Sequence, residues 1–320
     1  MADLEHVRWI RRPELRRPVL VAAFTGWNDA AESASSALKH LIENADATPL
    51  AEIDPEAFTD FATIRPHVRL TDTGARQIVW PTVTLWTVSL PERDLVVMLG
   101  PEPALRWREF CDQILGVARE VGVKMVVTIG ALLADVPHRR DVHIIGTGSD
   151  DAINDRFDLR RSQYEGPTGI VGVLGDAAHR AGLSAVALWA AVPSYAGQIP
   201  SPKASATLLD RMSEIIDTVV PTAALEAAIE SYEDQVDQLI ASDPSLSRYV
   251  ERIENSDDYD EYDDDEYDDE DDVELLVTDD SVALPPDDRP RDDTPLPDGP
   301  VDSDALMLEV EQFLRSQRDD

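Results

Sequence analysis

The chain has 320 residues, with 28 Lys plus Arg against 64 Asp plus Glu, and a formal net charge of −36. A nucleic-acid binder needs a basic face to displace counterions from phosphates, and the sequence carries no broad one. No apolar run approaches the ~20 residues that span a bilayer, and the single Cys111 excludes an intrachain disulfide and a cysteine-based zinc cluster. The charge is uneven: Glu251–Asp320 holds 29 acidic residues and 5 arginines, so the first 250 residues carry only −12. The basic start, Trp9–Pro18 with Arg11, Arg12, Arg16 and Arg17, reads as a short solvated edge available to pair with the acidic tail. It leads straight into a strand-like pattern rather than an export signal, so the expected location is the cytoplasm.

In chain order, Pro18–Gly26 (PVLVAAFTG) is a continuous apolar run stopped by glycine, the pattern of a strand buried on both faces. Asn28 or Asp29 is placed to cap the helix that follows to about Asn44. Short strands are predicted at Leu50–Ile53, Val68–Thr71, Thr84–Leu90 and Asp94–Leu99. An amphipathic helix covers Arg106–Val121, with Trp107, Phe110, Ile114, Leu115 and Ala118 on one face; Cys111 among them reads as a small buried hydrophobe. Strands follow at Val123–Leu132, Val142–Gly148 and Ser184–Val192. Helices are placed at Gly169–Ala181 and after the cap-and-proline pair Ser201-Pro202. Strands alternating with helices predict an α/β domain over residues 1–221: a mainly parallel open sheet covered by helices on both faces.

Past Pro221 two apolar stripes, Leu225 to Ile240 and Leu246 to Ile253, meet at Asp243-Pro244 and predict a helical hairpin over 222–254 packed on the domain. Residues 255–300 are acidic, then proline-rich, and cannot bury enough apolar surface to order, which predicts a disordered linker. Ser303 can cap a final amphipathic helix over 301–316, which is marginal alone and needs something to dock on.

Chemistry is sparse. There is no G-x-S-x-G elbow, no H-E-x-x-H, no C-x-x-C pair and no phosphate-cradling G-x-x-x-x-G-K-[ST], so neither a cofactor nor a metal is expected. The informative segments are three strand-to-helix junctions: Gly130–His138, Tyr164–Leu174, and Leu188–Tyr195 followed by Pro200–Ala204. In an open α/β sheet such junctions gather at the carboxyl ends of the strands, where ligands usually bind. Asp135 and His138, three residues apart, are candidate general acid/base partners, and Glu165 a candidate base. The plainer reading has Asp135 and Glu165 holding their loops. Trp27, Asn28, Asp29, Glu102, Arg106, Thr168 and Tyr195 are candidate ligand-binding residues along the same edge. Lys203, in the first turn of its helix, is a candidate anion holder.

The three junctions, with FTGWNDA (Phe24–Ala30) and GPEPALRWREF (Gly100–Phe110), are similar to the proteasome assembly chaperone 2 family, in its bacterial branch, from roughly Pro18 to Pro221. The resemblance implies kinship with chaperones that hold proteasome α-type subunits, a fold similar to phosphorylases and hydrolases, and a homo-oligomer of three copies. Large apolar groups at element ends, Trp80, Trp86 and Trp189, point independently to self-association. Where the family pattern usually has His, this chain has Ser194. The expected function is protein binding of the chaperone kind, with the chain itself and other proteins as partners. The alternative is an enzyme or small-molecule binder of hydrolase, phosphorylase or ligase type, using the crevice at the strand ends.

Overall fold

Residues 4–162 and 164–255 are described by the computed structural model. Its first half runs β1 (Val7–Trp9), β2 (Val19–Thr25), α1 (Ser33–Asn44), β3 (Ala47–Ile53), β4 (His67–Leu70), β5 (Arg76–Val79), β6 (Val83–Ser89) and β7 (Asp94–Pro101). The rest runs α2 (Trp107–Glu120), β8 (Met125–Ala134), β9 (Ile144–Gly148), α3 (Asp151–Phe157), α4 (Ile170–Arg180), β10 (Ser184–Pro193), α5 (Pro202–Ile216), α6 (Glu226–Ser242) and α7 (Pro244–Glu254). The linker expected over 255–300, past its first residue, and the final helix expected over 301–316 lie outside the described residues.

One sheet takes the strand order β1-β3-β6-β7-β2-β8-β10-β9, while β4 and β5 pair apart from it. The central block β7-β2-β8-β10 is parallel, as the strand–helix alternation predicts. The flanks are antiparallel: β6 on β7, β3 on β6, β1 on β3, and β9 on β10. For β6 on β7 the cause is connection length. The turn between β6 and β7 closes with Leu90 N–H on the Arg93 carbonyl at 2.9 Å, far too short for the crossover a parallel pair needs.

The continuous apolar strands are explained by burial on both faces. Successive side chains of a strand point to opposite sides. Val19, Val21 and Ala23 of β2 therefore join one core with Leu38 and Leu41 of α1 and Leu208, Leu209 and Met212 of α5. Leu20, Ala22 and Phe24 join the other, with Phe110 and Ile114 of α2 and Ile170 and Leu174 of α4. Helices thus cover both faces.

Two points differ from expectation. The strand at Val68–Thr71 exists as β4, but its partner is β5, which has no run of apolar residues to announce it. Helix α3 was not predicted; it is one short turn-rich helix capped by Asp150, whose side chain accepts from Ile153 N–H at 3.1 Å. The basic start is solvated, as expected, with Arg12, Arg16 and Arg17 exposed, and its arginines find partners within the body. Arg11 reaches Thr87, Arg12 lies 3.3 Å from Glu120 and 4.3 Å above the Trp9 ring, Arg16 bonds Asp94 at 2.8 Å, and Arg17 donates to the Glu92 carbonyl at 2.6 Å.

Cys111 is buried on α2, and burial pushes its thiol up to about 12. Only a thiolate reacts readily. The native protein is therefore expected to resist a thiol reagent at pH 8 and to label in one step on unfolding. Labelling at the rate of an exposed cysteine would show that α2 opens.

Candidate functional site: the carboxyl edge of the sheet

Because β7, β2, β8 and β10 are parallel, the segments after Thr25, Pro101, Ala134 and Pro193 leave one edge, and α4 begins there. β3 runs in the same direction as β7, both being antiparallel to β6, so the connection carrying β4 and β5 leaves that edge too.

Around His138 the candidate residues do converge, but on α6 and α7. The imidazole is buried. Tyr195 Oη accepts from the His138 backbone N–H at 2.8 Å and lies 3.0 Å from Nδ1. The other ring nitrogen, Nε2, lies 2.9 Å from Asp237 Oδ1. The Asp237 carboxylate also receives the Arg139 guanidinium. Lys203 Nζ donates to the His138 carbonyl at 2.9 Å and to Glu233 at 2.8 Å. Asp135 accepts from Ser194 Oγ at 3.1 Å and from Tyr249 Oη, and Arg140 donates to the Glu254 carbonyl at 2.8 Å. Below these ties Ala196, Tyr232 and Val236 form a small apolar cluster with Tyr195, Ile199 and Ile240 at its border. The recess left beside His138, Lys203 and Tyr232 has a volume of ≈ 10 Å³, at most the room of one water. Lys203 is thus spent on Glu233 and a carbonyl rather than holding an anion.

Glu233, Asp237 and Tyr249 are the members that the sequence reading missed. The available signal was the placing of Glu233 and Asp237 four residues apart, each directly following a residue of the buried stripe, Tyr232 and Val236. Carboxylates at that spacing flanking an apolar seam imply basic partners on the surface covered.

The arginine bond to Asp237 holds its carboxyl below the usual 3.8 against the opposing effect of burial, and the His138 bond adds a smaller lowering. A depressed carboxyl contributes stability that is present above 3.8 and is lost as pH falls through the depressed value. α6 is therefore expected to become more protease-sensitive in acid below pH 3.8. Asp237→Asn should be sensitive already at neutral pH and lose that part of the acid dependence. Equal sensitivity of both proteins at neutral pH would show that Asp237 does not fasten α6.

The second group lies nearer β2. Asn28 is fully buried and donates from Nδ2 to Glu102 at 2.9 Å; the same carboxylate oxygen accepts from Ile170 N–H at 2.9 Å. Glu102 thereby supplies the negative charge that the start of α4 favours. A Cβ at Gly169 would stand 2.1 Å from Asn28 Oδ1, which is why glycine begins this helix. The Asn28 carbonyl accepts from Ala131 N–H at 2.9 Å, tying the loop to β8. Asp29 accepts from Ala34 and Ser35 N–H at 2.8 and 3.0 Å, so it serves the start of α1 across an intervening tight turn; burial raises its carboxyl, and those bonds oppose the rise. Arg106 opens α2 at φ 54 and pairs with Glu109. Glu165 and Thr168 are exposed, and Glu165 has no polar partner among the described residues. The structure thus brings together Asp135, His138, Tyr195 and Lys203, and separately Asn28 and Glu102, but not Glu165.

The edge also presents large apolar side chains outward. Trp27, Leu105, Leu133 and Tyr164 are exposed on it, as are Val68, Leu70, Ile78 and Trp80 on the β4–β5 connection. No group of three metal-ligating side chains occurs among the described residues, and none of their helices is long and apolar enough to cross a membrane. An open edge set with exposed apolar side chains suits contact with a protein surface.

Comparison with known proteins agrees with the fold. The chain is similar to a PAC2 family protein from Streptomyces avermitilis, at 45% identity and TM-score 0.69, covering 73% of this chain and 99% of that one. It is similar to a proteasome-assembly chaperone homologue from Mycobacterium tuberculosis, at 44% identity and TM-score 0.67, covering 72% and 99%. An archaeal proteasome activator from Pyrococcus furiosus, at 15% identity and TM-score 0.61 over 73% and 97%, shares the fold. No curated protein matches significantly. The PAC2 family model matches residues 23–240, which take in the sheet from the end of β2 onward, both helical faces and most of α6, and the chain therefore belongs to the PAC2 family.

Proposed function

We propose that this protein is a chaperone-like protein-binding protein that holds proteasome subunits or their relatives on the carboxyl edge of its sheet. The observation that carries the reading is the row of exposed Trp27, Leu105, Leu133 and Tyr164 on that edge, while the polar groups behind it are consumed in fastening α6 and α7. Its kinship with a proteasome-assembly chaperone homologue at 44% identity supports the same reading. In it, α6 and α7 form a hairpin domain over 222–254 that roofs part of the edge, and the protein works as a homo-oligomer, of three copies by family likeness, in the cytoplasm.

The test is binding of purified proteasome α-type subunits from the same cell to the full-length protein. Trp27→Ala with Leu105→Ala is expected to weaken capture at least tenfold while leaving the melt unchanged, since both side chains are exposed. Absence of capture by the unaltered protein overturns the reading. So does strong stabilisation by a nucleotide, phosphate or dicarboxylate, because saturation a hundredfold above Kd adds about 2.7 kcal/mol.

A further inference from the structure

The β4–β5 ribbon is a surface that calls for a cover. Cross-strand partners share a face, so Val68 with Ile78 and Leu70 with Arg76 lie on one side, and His67 with Val79 and Arg69 with Gln77 on the other. Val68, Leu70 and Ile78 on the first side are all exposed; Trp80, at the base, is half-exposed and stacks edge-on against Phe61 at 5.0 Å between ring centres. A two-stranded ribbon is marginal in water by itself, and both of its outer edges are open to pairing. Its charge is also out of keeping with the chain. Residues 64–80 carry Arg65, Arg69 and Arg76 against Asp72 alone, and none of these arginines has an ion pair among the described residues.

The chain itself offers a complement. α6 turns Glu226, Ala227, Glu230 and Asp234 outward, all exposed, at three- and four-residue spacing on one face. Glu233 and Asp237, on the inner side, are already engaged by Lys203, Arg139 and His138. Ribbon against ribbon would set Arg76 of one copy near Arg76 of the other among the apolar groups, a like-charge contact in a drying interface. Ribbon against α6 sets Arg76 on carboxylates, with Arg69 on the far side of the thin ribbon adding to the positive field, and lays Leu70 and Ile78 over the small Ala227.

We propose that the β4–β5 ribbon of one copy docks on the outer acidic face of α6 in a second copy. The contact joins two different surfaces, so it is head-to-tail and closes into a ring when the rotation permits. It rests on the self-association contained in the reading above and names its surfaces.

The experiment measures the mass of the full-length protein by light scattering at micromolar concentration. The unaltered protein is expected as an oligomer. Arg69→Glu with Arg76→Glu is expected to fall to the mass of one copy, and so is Glu226→Arg with Glu230→Arg. All four changes in one chain are expected to restore the oligomer. Leu70→Asp, at an exposed position outside both cores, is expected to dissociate it without moving the melt. An unaltered protein of one-copy mass overturns the proposal, as does an oligomer that both charge-reversed pairs leave intact. Failure of α-subunit capture with these masses as expected sinks the chaperone reading alone, whereas capture by a protein whose oligomer ignores the ribbon sinks this interface alone.

Discussion

Val236→Asp is expected to release α6 and α7 from the body while the sheet and its helices stay folded. Val236 is fully buried in the cluster with Ala196 and Tyr232. A carboxylate placed there loses its water and gains no partner, at a cost of about 2–7 kcal/mol even if it is taken up as the neutral acid. The ties that remain cannot offset this. Arg139 and Asp237 are about half exposed, and ion pairs open to water contribute about 0–1 kcal/mol each. Each face of the sheet has its own core without these helices, so the loss is local. Hydrogen exchange should show residues 226–254 unprotected, with the strands still protected and the main thermal transition retained. Loss of protection throughout the chain would mean that the helix pair is part of the core.

The opposite pattern is expected for Phe110→Ala. Phe110 is 1% exposed and sits between Phe58, whose ring centre is 5.2 Å away in edge-on geometry, and Phe24 at 6.1 Å. These three rings bring β2, the turn after β3 and α2 together in one core. Truncation to alanine removes the contacts and leaves a cavity, which typically costs about 3–5 kcal/mol. For a domain of this size each kcal/mol shifts Tm by roughly 2–4 °C, so the whole transition should fall by roughly 6–20 °C. It should fall as one cooperative unit, α6 and α7 included. A shift within two degrees of the unaltered protein would show that the core closes around the gap.

These two substitutions separate what the chain states locally from what it states only when folded. PVLVAAFT could be read as a central strand because burial on both faces leaves a continuous apolar run, and Arg106–Val121 as a helix because its buried face recurs every three to four residues. The Ser201-Pro202 start of α5 was equally plain, with Ser201 accepting from Ala204 N–H at 3.2 Å. β5 was not, because an exposed ribbon strand needs no apolar alternation, and its sequence RQIV carries none. The gathering of Asp135, His138, Tyr195 and Lys203 at one edge followed from parallel strand order. Their roles did not.

The sequence by itself determined the α/β alternation, the parallel centre of the sheet, the carboxyl edge as the place where the junction loops meet, and the likeness to the PAC2 family. Periodicity and turn chemistry act over a few residues, and each residue carries that information where it stands. Only the tertiary structure decided that the sheet has antiparallel flanks, that His138 answers to Asp237 and Lys203 to Glu233, and that the apolar side chains of the edge remain outside. A side chain's partner across 30 to 99 residues depends on where whole elements pack. An ionisable group reads the same in sequence whether it faces substrate or a helix laid over it.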